Sequence, residues 1–200
     1  MSEWWTYRLS DFLMFSPRTY WRLVELYNVD WWPLHLATLL AGLIALGLAV
    51  SRKAVALRVM VVLLAAAWLW VGWAFHWQRY SAINWAAQYA APAFAVQALL
   101  LLMVGVRSDF AAPAPSPGVR RLGWALAAAG LAAYPFMAWM AGRPWQQAEV
   151  FGMAPEPTAL ATLGLLLISP VAGQRPRLLL CVIPCVSLLA GAATLWAFLP

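Results

Sequence analysis

Charge is what this chain has least of. Only 10% of its 200 residues are Asp, Glu, Lys or Arg, against 64% apolar ones. A water-soluble globular domain is about half apolar and about a quarter charged, so that class is excluded and a bilayer-embedded chain is expected. Length is short as well. Two six-helix transporter halves would need roughly twice as many residues at ~20 per span. Cysteine is limited to Cys181 and Cys185, both inside an apolar run, and they leave the redox compartment open. Histidine is limited to His35 and His76. The sequence holds no serine nucleophile elbow, no His-Glu-x-x-His and no phosphate-binding glycine loop, so no hydrolase constellation is present and no enzymatic role is expected. The start, Met-Ser-Glu-Trp-Trp, lacks a basic region and a small-residue cleavage site. The first spanning segment is therefore expected to target the chain itself.

What fills the chain instead is apolar helix with short punctuation. The fold class expected is all-α, a polytopic membrane protein of about six transmembrane helices. Hydropathy places the spans at about 32–51, 54–75, 83–106, 122–141, 158–173 and 178–199, the fifth being short. Residues 32–199 form that bundle, and residues 1–31 an amphipathic, Trp-rich interfacial segment. Within the latter, Ser16-Pro17 reads as an N-cap with Pro in the first turn. Tyr20, Val24, Tyr27 and Trp31 then share one helical face, with Arg18, Arg22 and Glu25 elsewhere. A shorter helical piece is expected over Leu9 to Phe15. Residues 107–121 are rich in Pro, Ser and Ala and read as a flexible loop.

The net charge of +6 is explained by loop position rather than by nucleic acid, for which there is no motif. The turns after spans one, three and five hold Arg52, Lys53, Arg58, Arg107, Arg120, Arg121, Arg175 and Arg177 with one acid, Asp109. The opposite side holds five basic residues and six acids. The positive-inside rule then places both termini outside a bacterial inner membrane. Eleven of the fourteen Trp fall on that outer side, among them Trp21, Trp31, Trp73, Trp77, Trp85 and Trp145. A plain aromatic belt would load both interfaces, so a structured outer cap is expected.

Polar residues able to carry chemistry concentrate around 73–85. His76, Arg79 and Tyr80 stand above a face on which Asn84 and Gln88 are spaced i, i+4. That pattern reads as a vestibule leading into the bundle. The plainer reading makes Arg79 a headgroup contact and the amides interhelical ties. Arg143 and Glu149 are expected on the same side, either as substrate contacts or as a charge network fixing the cap. Cys181 and Cys185, at i, i+4, face one way as a soft-metal pair would, but a structural site wants four such ligands. His35 and His76 could ligate a haem only if other haem features were present, and none is. No metal and no cofactor are expected.

Two strings, Ser2-Glu-Trp-Trp-Thr-Tyr-Arg-Leu-Ser-Asp-Phe-Leu-Met-Phe-Ser-Pro-Arg-Thr-Tyr20 and Gly142-Arg-Pro-Trp-Gln-Gln-Ala-Glu-Val-Phe-Gly-Met-Ala-Pro-Glu-Pro-Thr158, resemble a bacterial family of small integral membrane proteins of unknown function. The resemblance covers nearly the whole chain. It implies a multi-pass membrane protein of a kind often labelled a permease, and it carries no site to transfer. The function expected is a small permease or channel-like protein for a small solute. The alternative is a non-transporting scaffold or accessory subunit that docks a partner or lipid through its Trp-rich cap. Expected partners are the bilayer, a small solute, and either a second copy of the chain or another membrane protein.

Overall fold

The computed structural model describes residues 14–51, 53–108, 113, 115–171 and 173–199. Among the described residues the regular structure is all helical, with no strand.

Helix α1 spans Pro17–Asp30. The Ser16 hydroxyl accepts the Thr19 N–H at 3.2 Å, satisfying one of the free donors of the first turn. Tyr20, Val24 and Tyr27 are buried, the face their spacing predicts. The expected piece over Leu9 to Phe15 lies almost wholly outside the described residues. After α1 the chain bends by 88° into α2 (Leu34–Ala49).

Helix α3 (Ala54–Trp70) runs on as a π-helical stretch, Val71–Trp77, and a short 3-10 turn, Tyr80–Ala82. Helix α4 is Ala87–Arg107, with Pro92 inside it. Helix α5 (Pro117–Ala128) passes through a π turn at Ala129–Ala133 and a 3-10 turn at Tyr134–Phe136 into the short α6 (Met137–Met140). Pro135 accounts for that distortion, because its ring and missing N–H cannot continue an α-helical ladder. Helix α7 is Pro155–Ile168, and α8 is Gln174–Ala197 with Pro184 inside it.

All six apolar segments expected from hydropathy are helical, but they are unequal. The units Ala54–Ala82, Ala87–Arg107, Pro117–Met140 and Gln174–Ala197 are long and apolar enough to cross a membrane, and a fifth counts if the bent pair α1–α2 is one span. Helix α2 has 16 residues and α7 has 14, about 24 and 21 Å at 1.5 Å per residue. Both fall short of a hydrocarbon core of ~30 Å.

Helix α7 sits at the centre. Eleven of its residues are buried, and it packs against α5, α8 and α2. Small residues let α5 and α7 touch through their backbones: a Cβ on Gly164 would stand 2.4 Å from the Ala127 nitrogen and 2.7 Å from the Gly123 oxygen. Buried polar groups tie the other helices together. Trp68 donates its indole N–H to Thr162 Oγ1 at 2.9 Å, and Gln97 Nε2 donates to the Leu180 carbonyl at 2.9 Å. The outward faces carry large apolar side chains, including Leu36, Leu40, Val96, Leu99, Leu178, Val182 and Leu189.

Candidate functional site

The segment between α6 and α7 folds inward rather than out. Its local geometry is set by the hydrogen bonds of two side chains, Asn28 and Thr158. Asn28, near the end of α1, donates through Nδ2 to the Gln146 carbonyl at 2.8 Å and the Ala148 carbonyl at 2.7 Å. Its Oδ1 shares a 3.0 Å hydrogen bond with His35 Nε2 at the start of α2. Further on, Thr158 Oγ1 accepts the Gly152 N–H at 2.8 Å and donates to the Ala154 carbonyl at 2.7 Å. Gly152 holds φ +75°, a left-handed conformation that suits glycine.

This clamp turns Glu149 inward, where only 6% of it is exposed. Tyr20 Oη, on α1, donates to Glu149 Oε1 at 3.3 Å. Burial is the main force pushing the Glu149 carboxyl well above the usual carboxylate range. The neighbouring Glu156 charge adds to the rise, while Arg143 and the Tyr20 hydrogen bond oppose it. Burial likewise raises the Tyr20 phenol, with Glu149 and Glu156 next in effect. Arg143 lays its guanidinium 3.4 Å above the Trp21 ring and donates Nη1–H to the Gln147 carbonyl at 3.2 Å.

Glu149 and Glu156 line one cavity of about 200 Å³. Tyr20, Phe75, His76, Tyr80, Phe94 and Tyr134 give it an aromatic wall, α4 contributes Ala87, Ala90 and Ala93, and α8 contributes Ser187, Gly191 and Thr194. Among the described residues no Lys or Arg lines it. His76 is 7% exposed, its ring meets Phe94 edge-on at 4.5 Å, and neither ring nitrogen has a hydrogen-bond partner among the described residues. Glu156 Oε2 is buried and equally without a partner among them. Gly191 makes room for that carboxyl, since a Cβ there would stand 2.1 Å from Glu156 Oε1.

Of the residues singled out from sequence, His76, Tyr80, Asn84 and Glu149 come together on this cavity. Arg79 does not line it. It forms an ion pair with Asp30 and lies in a separate groove with Arg18 and Arg22. Gln88 is exposed and does not share a helical face with Asn84, because α4 begins only at Ala87. Asn84 instead accepts the Ala86 N–H on its Oδ1 at 3.0 Å, just ahead of the helix. Arg143 stands behind Glu149, against Trp21, and not on the cavity. Sequence reading passed over Glu156, Tyr20, Tyr134 and Gly191 as site residues. The available signal was the pair Glu149 and Glu156, two of only seven acids in the chain, seven positions apart ahead of an apolar helix.

No three His, Cys, Asp or Glu side chains among the described residues are placed to hold one metal ion. Cys181 is half-buried and Cys185 exposed, both as free thiols.

No curated protein and no solved structure matches the chain. Residues 18–199 match the family model described as a family of unknown function, DUF6064. The match takes in α1, the 142–154 segment and every helix that lines the cavity, and the chain belongs to that family.

Proposed function

We propose that this chain is a small multi-pass protein of the bacterial inner membrane, of permease or channel-like type, which admits a small solute to the cavity from the outer face. Its spans are α3 with its π extension, α4, α5 to α6 and α8, completed by the shorter α2 and α7, with α1 lying in the interface plane. The large apolar side chains on the outward faces of α2, α4 and α8 support embedding, since an exposed patch of that extent is not sustained in water. Eight of the 13 basic residues stand in the turns after spans one, three and five, away from the segments that line the cavity, which supports an outward-facing site by the positive-inside rule.

One observation carries the transport reading. Glu149, His76 and the Oε2 oxygen of Glu156 are buried around a common cavity, the histidine nitrogens and that oxygen with no hydrogen-bond partner among the described residues. Ionisable groups at membrane depth are costly and mark solute or proton pathways by default. Reconstitution into liposomes tests this, with flux measured for a panel of ions and small neutral solutes. Flux above empty liposomes that falls in E149Q is the expected result; no flux for any solute overturns the reading.

A second reading has its own support. Trp73, Trp77, Trp85, Trp139, Trp145 and Trp196 are exposed on segments at the cavity end, and aromatic residues are enriched at docking surfaces. Under that reading the chain is a scaffold or accessory subunit. Purification in mild detergent would then recover a stoichiometric membrane partner, whereas a homogeneous single species would count against it.

A further inference from the structure

The cavity holds two carboxyls and a histidine, and its other polar groups, among them Asn84, Tyr134, Ser187 and Thr194, are neutral. A carboxylate offers only lone pairs, and a neutral imidazole always offers one. Glu149 spends Oε1 on the Tyr20 hydroxyl, while Glu156 Oε2 and both His76 nitrogens have no partner among the described residues. Among the described residues no cationic side chain lines the cavity to balance the two acids. A bare metal ion is a poor match, because no three of these ligand types among the described residues converge on one point. The acceptors are spread around a volume of about 200 Å³, the share of several water molecules at ~30 Å³ each. The rings of Tyr20, Phe94 and Tyr134 complete the wall; such rings tolerate an alkyl chain and attract a cation over their faces.

We infer that the cavity binds a small primary organic ammonium ion, whose N–H bonds are taken by the Glu149 and Glu156 carboxyls and whose alkyl part lies against the aromatic wall and the alanine face of α4. This rests on the permease reading and names the solute class for it. A bound cation favours the ionised carboxyls, so binding draws protons off the Glu149–Glu156 pair. The titratable or charged groups around that pair are Tyr20 from α1, His76 and Tyr80 from the α3 extension, Tyr134 from the α5 extension, and Arg143 from the 142–154 segment. Helix α8 contributes only Ser187 and Thr194 as polar groups.

Titration calorimetry on the detergent-purified full chain at pH 8 tests the assignment with three probes. These are n-butylammonium, 1-butanol as its uncharged counterpart, and tetramethylammonium, which has the charge but no N–H. The expected result is n-butylammonium binding at least ten-fold tighter than either control, with a heat that varies with buffer ionisation enthalpy as proton release requires. E149Q and E156Q should each weaken it ten-fold or more. Equal binding of 1-butanol, absence of n-butylammonium binding, or full affinity in the E149Q/E156Q double variant overturns the inference. If a variant fails to fold, the three-probe comparison on the unaltered chain still decides. Flux of an uncharged solute without ammonium binding would sink this assignment and leave the permease reading standing; ammonium binding without any flux would do the reverse.

Discussion

Gly191 and Glu156 occupy one space between α8 and α7: a Cβ on the glycine would lie 2.1 Å from Oε1 and 2.8 Å from Cδ of the carboxyl. Replacing Gly191 with Ala therefore pushes the Glu156 carboxyl aside. Only the end of one flexible side chain bordering a cavity has to move, so the cost stays at the low end of overpacking, about 1 kcal/mol. G191A should lower thermal stability in detergent by that amount, and combining it with E156A should restore most of the loss. Equal melting of G191A and the unaltered chain would mean the carboxyl does not sit there.

Glu149 makes stability depend on pH, and the sign follows from burial. Its folded-state carboxyl holds a proton more tightly than the ordinary value of 4.5, so the folded state binds more protons than the unfolded one above that pH. The stabilisation is fully present below about 4.5 and is lost as pH rises through the elevated folded value. Melting temperature should fall from pH 5 toward pH 9. E149Q should flatten that slope, since an amide does not titrate; an unchanged slope in E149Q would place the titrating group elsewhere.

Asn28 holds three pieces of chain with one side chain: two carbonyls of the 145–148 turn and the His35 ring. Asn28→Ala leaves those carbonyls and His35 without their partner, at a cost of about 1–3 kcal/mol. Hydrogen exchange over residues 145–154 should rise in N28A more than exchange in α3 or α4. A uniform rise across the chain would show that the clasp is not local.

Trp68 and Thr162 provide a clean test of a buried interhelical bond at 2.9 Å. Interhelical hydrogen bonds in membrane proteins average about 0.6 kcal/mol and reach about 1.7. T162V, which keeps the shape and removes the acceptor, should cost at least the lower figure. T162S should retain more of the bond, and thermal melts of the pair read the difference.

Hydropathy was enough to find the helical units, because each apolar run is interrupted by Arg, Pro or a polar turn. The buried face of α1 was also legible, since Tyr20, Val24 and Tyr27 follow the helical period and Ser16-Pro17 marks the start. Asn84 and Gln88 show where periodicity misled. Their spacing suits a helix, but the chain at Asn84 is still turning, and nothing in the local residues reveals that α4 starts three positions later. Long-range pairings were out of reach for the same reason. Arg79 is taken up by Asp30, 49 positions away, and Glu149 by Tyr20, 129 positions away. Glu156 read as one more loop charge because its inward aim depends on the Thr158 and Gly152 turn and on a glycine in α8.

Eleven of the 14 residues of helix α7 are buried, and that removes a constraint its neighbours must obey. A helix that meets lipid needs an apolar flank long enough to match the membrane; one enclosed by other helices needs only to fit them, so 14 residues suffice. The same enclosure leaves it little permissive flank. In a saturation mutagenesis experiment, tolerance along α8 should rise and fall with the helical repeat as its exposed side comes round, whereas tolerance along α7 should stay low and ease only at the half-buried Leu160 and Leu167.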